Sequence, residues 1–228
     1  MSALAGKVCA VFGFGPGLGC AAARRWASQG YRVALLSRSL AKVKAAEADI
    51  ANSKGFQCDV TDPDDVEKAV RSIEKEMGPV DVVIYNAGKG VWTTFDKIQM
   101  DEFDLAMKCN VHGLLKVAQC VAPGMIERKS GCILVTGATA SLRGKPFTAG
   151  FAPSKGGQRM LAQSLARDLG PKGVHVAYFI IDGQIGVDDK DPKKIDPNAI
   201  AQTYWSVSQQ HHTGWTFELD IRPSVENW

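Results

Sequence analysis

The chain has no long hydrophobic run, no Cys-x-x-Cys pair, no dense stretch of lysine and arginine, and no acidic residue where its second predicted strand ends. Its longest apolar runs, such as residues 176–181, have the length of a strand rather than of a membrane span. The opening Met1-Ser-Ala-Leu-Ala-Gly-Lys7 lacks the apolar centre of a signal peptide. Both absences predict a soluble, cytoplasmic protein with no membrane partner. The six cysteines (Cys9, Cys20, Cys58, Cys109, Cys120, Cys132) are scattered through strand and helix patterns, which suits reduced core thiols and leaves neither disulfides nor zinc expected. A net charge of +3, without basic residues interleaved with aromatics, gives no footprint for nucleic acid. His211-His212 has no third ligand near it in sequence and reads as a solvated helix end, so no metal site is expected.

With 228 residues, 45% of them hydrophobic, the chain can bury one sizeable core, and a single domain over residues 1–228 is expected. What organises it is Lys7-Val-Cys-Ala-Val-Phe-Gly-Phe-Gly-Pro-Gly-Leu-Gly-Cys20, a short apolar run that breaks into glycines and then into an alanine-rich helix. Strand, tight turn and helix follow one another. Gly13, Gly15, Gly17 and Gly19 would let the backbone turn at positive φ and come close to a ligand, with the free N–H groups of the helix start facing it. Together with Pro16 and Leu18 they form a cradle whose natural occupant is a phosphate.

Strand and helix then alternate. Helices are predicted over 18–29, 40–52, 63–77, 101–121 and 151–169, and strands at 31–36, 56–58, 80–85, 132–136, 174–181 and 216–219. Strands apolar on both faces belong in a buried parallel sheet. The fold class is therefore α/β: one Rossmann-type doubly wound domain, a seven-stranded parallel sheet with helices on both faces. Residues 182–200, rich in Asp, Lys, Gly and Pro in their first part, read as a mobile lid loop over the site.

If the first turn holds a pyrophosphate, the end of the second strand reaches the adenosine ribose, where an acid would accept from the 2′-hydroxyl of NAD. Ser37-Arg38-Ser39 stands there instead. A guanidinium pairs with a 2′-phosphate, so NADP is expected, with NAD less favoured.

From about Gly6 to Gly183 the chain resembles the short-chain dehydrogenase/reductase family. The glycine-rich turn is matched by Phe12-Gly13-Phe-Gly-Pro-Gly17-Leu-Gly19, with Phe12 where the family has threonine. Asp59-Val60 matches the adenine-contacting pair, and Tyr85-Asn86-Ala87-Gly88 matches an Asn-Asn-Ala-Gly motif with its first asparagine lost. The resemblance implies a catalytic tetrad of Asn, Ser, Tyr and Lys. Asn110 and Lys155 match two of its members. The tyrosine position holds Phe151, and counting back thirteen residues gives Ala138 at the serine position. Neither hydroxyl is present. The resemblance also implies that Lys155 holds the nicotinamide ribose, that the Ile185 backbone reaches the nicotinamide amide, and that the helices at 101–121 and 151–169 pair two copies into a homodimer or homotetramer.

Two functions are open on these residues. One is an NADP(H)-dependent oxidoreductase on a small carbonyl or alcohol, with the proton from Thr139, Ser141, Tyr204 or a water held by Asn110 and Lys155. The other is a non-catalytic NADP(H)-binding sensor or interaction protein. Tyr204 and Trp205 either line a substrate pocket or cap a core.

Overall fold

The computed structural model describes residues 6–186 and 191–226. Nine strands and seven α-helices are present among the described residues: β1 (Val8–Phe12), α1 (Leu18–Ala27), β2 (Arg32–Ser37), α2 (Leu40–Ala46), β3 (Ser53–Gln57), α3 (Pro63–Met77), β4 (Val80–Tyr85), α4 (Met100–Met107), α5 (Gly113–Glu127), β5 (Gly131–Thr136), α6 (Ala152–Leu169), β6 (Val174–Ile181), β7 (Gln184–Ile185), β8 (Lys194–Ile195), α7 (Pro197–Ser208) and β9 (Glu218–Ile221). Seven of the strands form one sheet in the order β3-β2-β1-β4-β5-β6-β9. Every pairing in it is parallel.

Alternate residues of each central strand go to opposite cores, so both strand faces must be apolar. Val8, Ala10 and Phe12 of β1 pack with Val70 and Ile73 of α3, Leu114 and Val117 of α5 and Ala162 of α6. Cys9 and Val11 pack on the other face with Ala22 and Trp26 of α1, Val43 of α2 and Ile200 and Tyr204 of α7. After β3 the chain crosses from one side of β1 to the other to form β4. That reversal opens a crevice at the carboxyl ends of β1 and β4, where ligands bind in open α/β sheets.

Several boundaries differ from the sequence reading. The helix at 40–52 stops at Ala46, and the strand expected at 56–58 runs Ser53–Gln57. The helix at 101–121 is broken: residues 108–112 form one π-turn between α4 and α5. The last strand is Glu218–Ile221. Within 182–200, β7 and β8 pair with each other and residues 197–200 already belong to α7, started by Asp196, whose side chain accepts from the Asn198 N–H, and by Pro197. Residues 187–190 of that stretch lie outside the described residues.

Of the apolar residues on α4, α5 and α6, Leu114 and Val117 are buried in the core, while Leu161 and Leu165 pack partly against it. Leu105, Leu115 and Met160 are exposed.

Candidate functional site

At the end of β1 the N–H groups of Gly13 and Phe14 both donate to the carbonyl of Leu36, turning the chain beside the end of β2. Gly13 sits at φ +84°, and a Cβ there would stand 2.4 Å from the Ala87 nitrogen. It is the only one of the turn's four glycines at positive φ, contrary to the expectation for all four. Its role is contact between β1 and the segment after β4: Asn86 donates from Nδ2 to the Gly13 carbonyl at 3.0 Å and from its backbone to Phe12 at 2.9 Å. Gly19 packs similarly on Gly13 and Phe14. Gly15 and Gly17 face open space, with nothing within 4 Å of an added Cβ. Gly17 also caps α1, next to Pro16 and Leu18, and no side chain takes the first N–H groups of that helix. This is a cradle of unclaimed donors, and it fits a dinucleotide phosphate.

Ser37 and Arg38 lie beside this turn at the end of β2. The Arg38 side chain is exposed and has no carboxylate partner among the described residues. Ser37 accepts from the Ser39 N–H, and Ser39 caps α2. Asp59 spends Oδ1 on Thr61, leaving Oδ2 for a donor, and Val60 is buried behind it.

A cleft of about 740 Å³ continues from Asn86 and Gly88 over the ends of β5 and β6. Ala138, Phe151, Lys155 and Ile185 all line it. The bare serine and tyrosine positions therefore face the same space. Phe151 is buried and its ring lies 4.7 Å from that of Trp92. Lys155 is at the floor, with Nζ donating to the carbonyl of Thr136 and to Oε1 of Gln158, each at 2.9 Å. Burial pulls its ammonium down to about 8. Asn110, fully buried in the π-turn, donates from Nδ2 to the Lys89 carbonyl at 2.9 Å and to Ser154 Oγ at 3.0 Å, while its Oδ1 has no partner. A Cβ on Gly88 would lie 3.4 Å from that Oδ1 and 3.8 Å from Lys155 Nζ, so both groups converge on Gly88. Ala87 is packed against Gly13 as described.

Two residues of the site were not singled out in sequence. Tyr85, in place of the lost asparagine, donates its hydroxyl to the Cys109 carbonyl and so ties the π-turn that carries Asn110 to the end of β4. Gly113 leaves room for it, since a Cβ there would meet that hydroxyl at 2.4 Å. Gln158 is the second. The only signal for either was a polar or hydroxylated residue in an otherwise core-facing position.

The suggested alternative proton donors separate cleanly. Thr139 lines the cleft, its hydroxyl 3.4 Å from the Ile181 carbonyl. Ser141 is half-buried, its hydroxyl turned inward toward Tyr178, and it does not line the cleft. Tyr204 is fully buried in α7, stacked on Phe179, and donates to Thr136 Oγ1 at 2.9 Å. Trp205 packs edge-on against Trp26, so this pair caps a core. His211 and His212 are exposed beyond the end of α7, and no group of three or more potential metal ligands occurs among the described residues. No helix among them is long and apolar enough to cross a membrane.

The short chain dehydrogenase family model matches residues 7–184, the span that contains the cradle, the π-turn and the cleft floor. The chain belongs to this family. Among curated relatives of this short-chain dehydrogenase, an oxidoreductase of Sarocladium schorii, asL5, is 32% identical over 174 residues, covering 76% of this chain and 70% of its own. A metagenomic short-chain oxidoreductase solved in complex with NADP is 26% identical, with a TM-score of 0.87 over 99% of this chain and 100% of the other. An NAD⁺-bound xylitol dehydrogenase is 25% identical, with a TM-score of 0.89 over 98% of this chain and 100% of the other. Short-chain dehydrogenases of this shape thus accept either nicotinamide dinucleotide.

Proposed function

We propose that the protein is an NADP(H)-dependent oxidoreductase that interconverts a small carbonyl and its alcohol, working without the family's tyrosine and serine hydroxyls. The observation that carries this reading is the convergence of Lys155 Nζ and Asn110 Oδ1 on Gly88 at the floor of a cleft continuous with Asn86, which is itself bonded to the glycine turn. NADP(H), when bound, supplies or accepts a hydride. Gly15, Gly17 and the start of α1 would hold its phosphates, Arg38 its 2′-phosphate, Asp59 its adenine end, and the Ile185 backbone its nicotinamide end. The chain's own contribution is then placement of the carbonyl, exclusion of water by the buried Phe151 ring, and delivery of one proton.

The absence of both hydroxyls sustains a second reading, a non-catalytic NADP(H)-binding protein. Phe151 can neither protonate an oxygen nor hold it. A positioned general acid is worth about 10² to 10⁴ in rate and an oxyanion donor about 10² to 10³. The readings part on turnover with NADPH bound.

Arg38 gives the cofactor preference. A charge-assisted phosphate contact contributes about 1.5 to 3 kcal/mol, roughly tenfold to a hundredfold in affinity. Fluorescence titration is expected to show NADPH binding tighter than NADH by that factor, with Arg38→Ala removing the difference; equal affinities unchanged by the substitution would refute the assignment.

The exposed Leu105, Leu115 and Met160 on α4, α5 and α6 favour a homodimer or homotetramer through these helices. Light scattering at micromolar concentration is expected to give a multiple of the chain mass, reduced by Leu115→Glu with Met160→Glu. A monomer mass for the unaltered protein would count against it.

A further inference from the structure

Gln158 is fully buried, one helical turn beyond Lys155 on α6. A lysine ammonium has donors only, so the carboxamide turns its oxygen to the charged Lys155, at 2.9 Å. The cost is visible on the other side of the amide: Gln158 Nε2 is buried with no partner. A buried unpaired donor is destabilising, so what glutamine supplies here that leucine would not is the acceptor for Lys155. Together Gln158 Oε1 and the Thr136 carbonyl occupy two of the nitrogen's valences. One valence is left, on the side where the Gly88 backbone and the cleft lie.

Resting on the oxidoreductase reading, we infer that Lys155, held by Gln158 as a positioning residue, is itself the acid that gives the proton to the substrate oxygen, in place of the tyrosine that Phe151 has replaced. The Phe151 ring is 6.0 Å from Nζ and carries no proton to offer. Asp182, another buried ionisable group lining the cleft, is ion-paired with Arg222 at 3.2 Å. In the balance of the reduction the cofactor supplies the hydride to the carbonyl carbon. The proton that completes the new O–H bond leaves Nζ, the N–H electron pair stays on nitrogen, and the amine takes a proton back from water.

The surroundings of Nζ make its protonation state adjustable. From β5 it meets the Thr136 carbonyl, whose hydroxyl is taken by Tyr204 of α7. From α6 it meets Gln158, and from β6 Tyr178 donates to the Lys155 carbonyl rather than to the amine. From the π-turn come Asn110 and Cys109; burial raises the Cys109 thiol, and a charge on that thiol would raise Nζ. Desolvation therefore sets the ammonium near 8, and the Gln158 oxygen and the Thr136 carbonyl are the acceptors that hold its N–H groups.

The test combines two readouts on the whole protein. The first is the pH profile of NADPH-dependent reduction of phenanthrenequinone and trifluoroacetophenone as probe carbonyls. The second is a titration of Lys155 followed at Cε by NMR with carbon-labelled lysine, its resonance identified by loss in Lys155→Met. For the unaltered protein the rate is expected to be flat at low pH and to fall as pH rises through about 8, where the ammonium is lost. Gln158→Leu removes an acceptor from the ammonium and is expected to move both the rate inflection and the NMR midpoint down by about one to two pH units. Gln158→Glu is expected to move both upward. A merely structural glutamine would lower the rate at every pH without moving either midpoint. Turnover whose inflection stays fixed across the variants overturns the inference and leaves the oxidoreductase reading intact. Shifted NMR midpoints with no turnover in any protein, NADPH being bound, overturn that reading and the donor role with it.

Discussion

Phe151→Tyr combined with Ala138→Ser is expected to raise NADPH-dependent reduction of an activated ketone or quinone by about 10² or more. Both positions line one cleft, and Phe151 already places a ring there against Trp92, so one hydroxyl is added to an existing frame at each site. Hydride placement is expected to be in hand, since Lys155, Asn110 and Asn86 are fixed by hydrogen bonds to the backbone at the ends of β1 and β5 and to Lys89. What the unaltered site lacks at these two positions is a phenol and a second hydroxyl directed at the carbonyl oxygen. Because the two groups act on one oxygen, each single variant is expected to gain far less than the pair. Steady-state NADPH oxidation by the four proteins measures this, and a double variant no faster than the parent would show that the missing hydroxyls do not limit the reaction.

The glycine turn gives the largest expected effect on stability, and it separates two kinds of glycine. Gly13→Ala puts a Cβ 2.4 Å from the Ala87 nitrogen at φ +84°. Left-handed backbone costs an L-residue about 1 to 2 kcal/mol and overpacking about 1 to 3, so a loss of about 2 to 5 kcal/mol is expected in chemical denaturation. Gly15→Ala meets nothing within 4 Å and is expected to fold with unchanged stability, yet to weaken NADPH binding at least tenfold, by roughly 1.4 kcal/mol or more, because the new methyl occupies the space assigned to phosphate. If Gly15→Ala bound NADPH as tightly as the parent, that space would not be the phosphate cradle.

How much of this was readable in sequence follows from which interactions are local. The order of strands and helices came from runs such as 31–36 and 80–85, apolar on both faces, because a parallel sheet buried on both sides demands them. The seven-stranded sheet and the family followed from these and from the glycine turn. The π-turn at 108–112 was not readable, since no residue in Lys108-Cys-Asn-Val-His112 announces it; it is stabilised from outside by Tyr85, twenty-four residues earlier in the chain. For Tyr204 two placements stayed open for the same reason. An aromatic residue following a polar segment looks like lid, and only the packing of α7 on α1 and against Phe179 shows that it belongs to the core. Gln158 escaped notice because polar residues on a helix usually face solvent, and burial with a single partner is a property of the assembled cleft.

The central claim is that this cleft moves a hydride without the two hydroxyls. Its most direct test is isotopic: incubate the protein with NADPH carrying deuterium at the transferable position of the nicotinamide, add trifluoroacetophenone, and analyse the alcohol by mass spectrometry. The account predicts deuterium on the carbinol carbon, in an amount that grows with protein concentration and is abolished in Lys155→Met. Alcohol free of deuterium, or no alcohol at all while NADPH binding is intact, would contradict it.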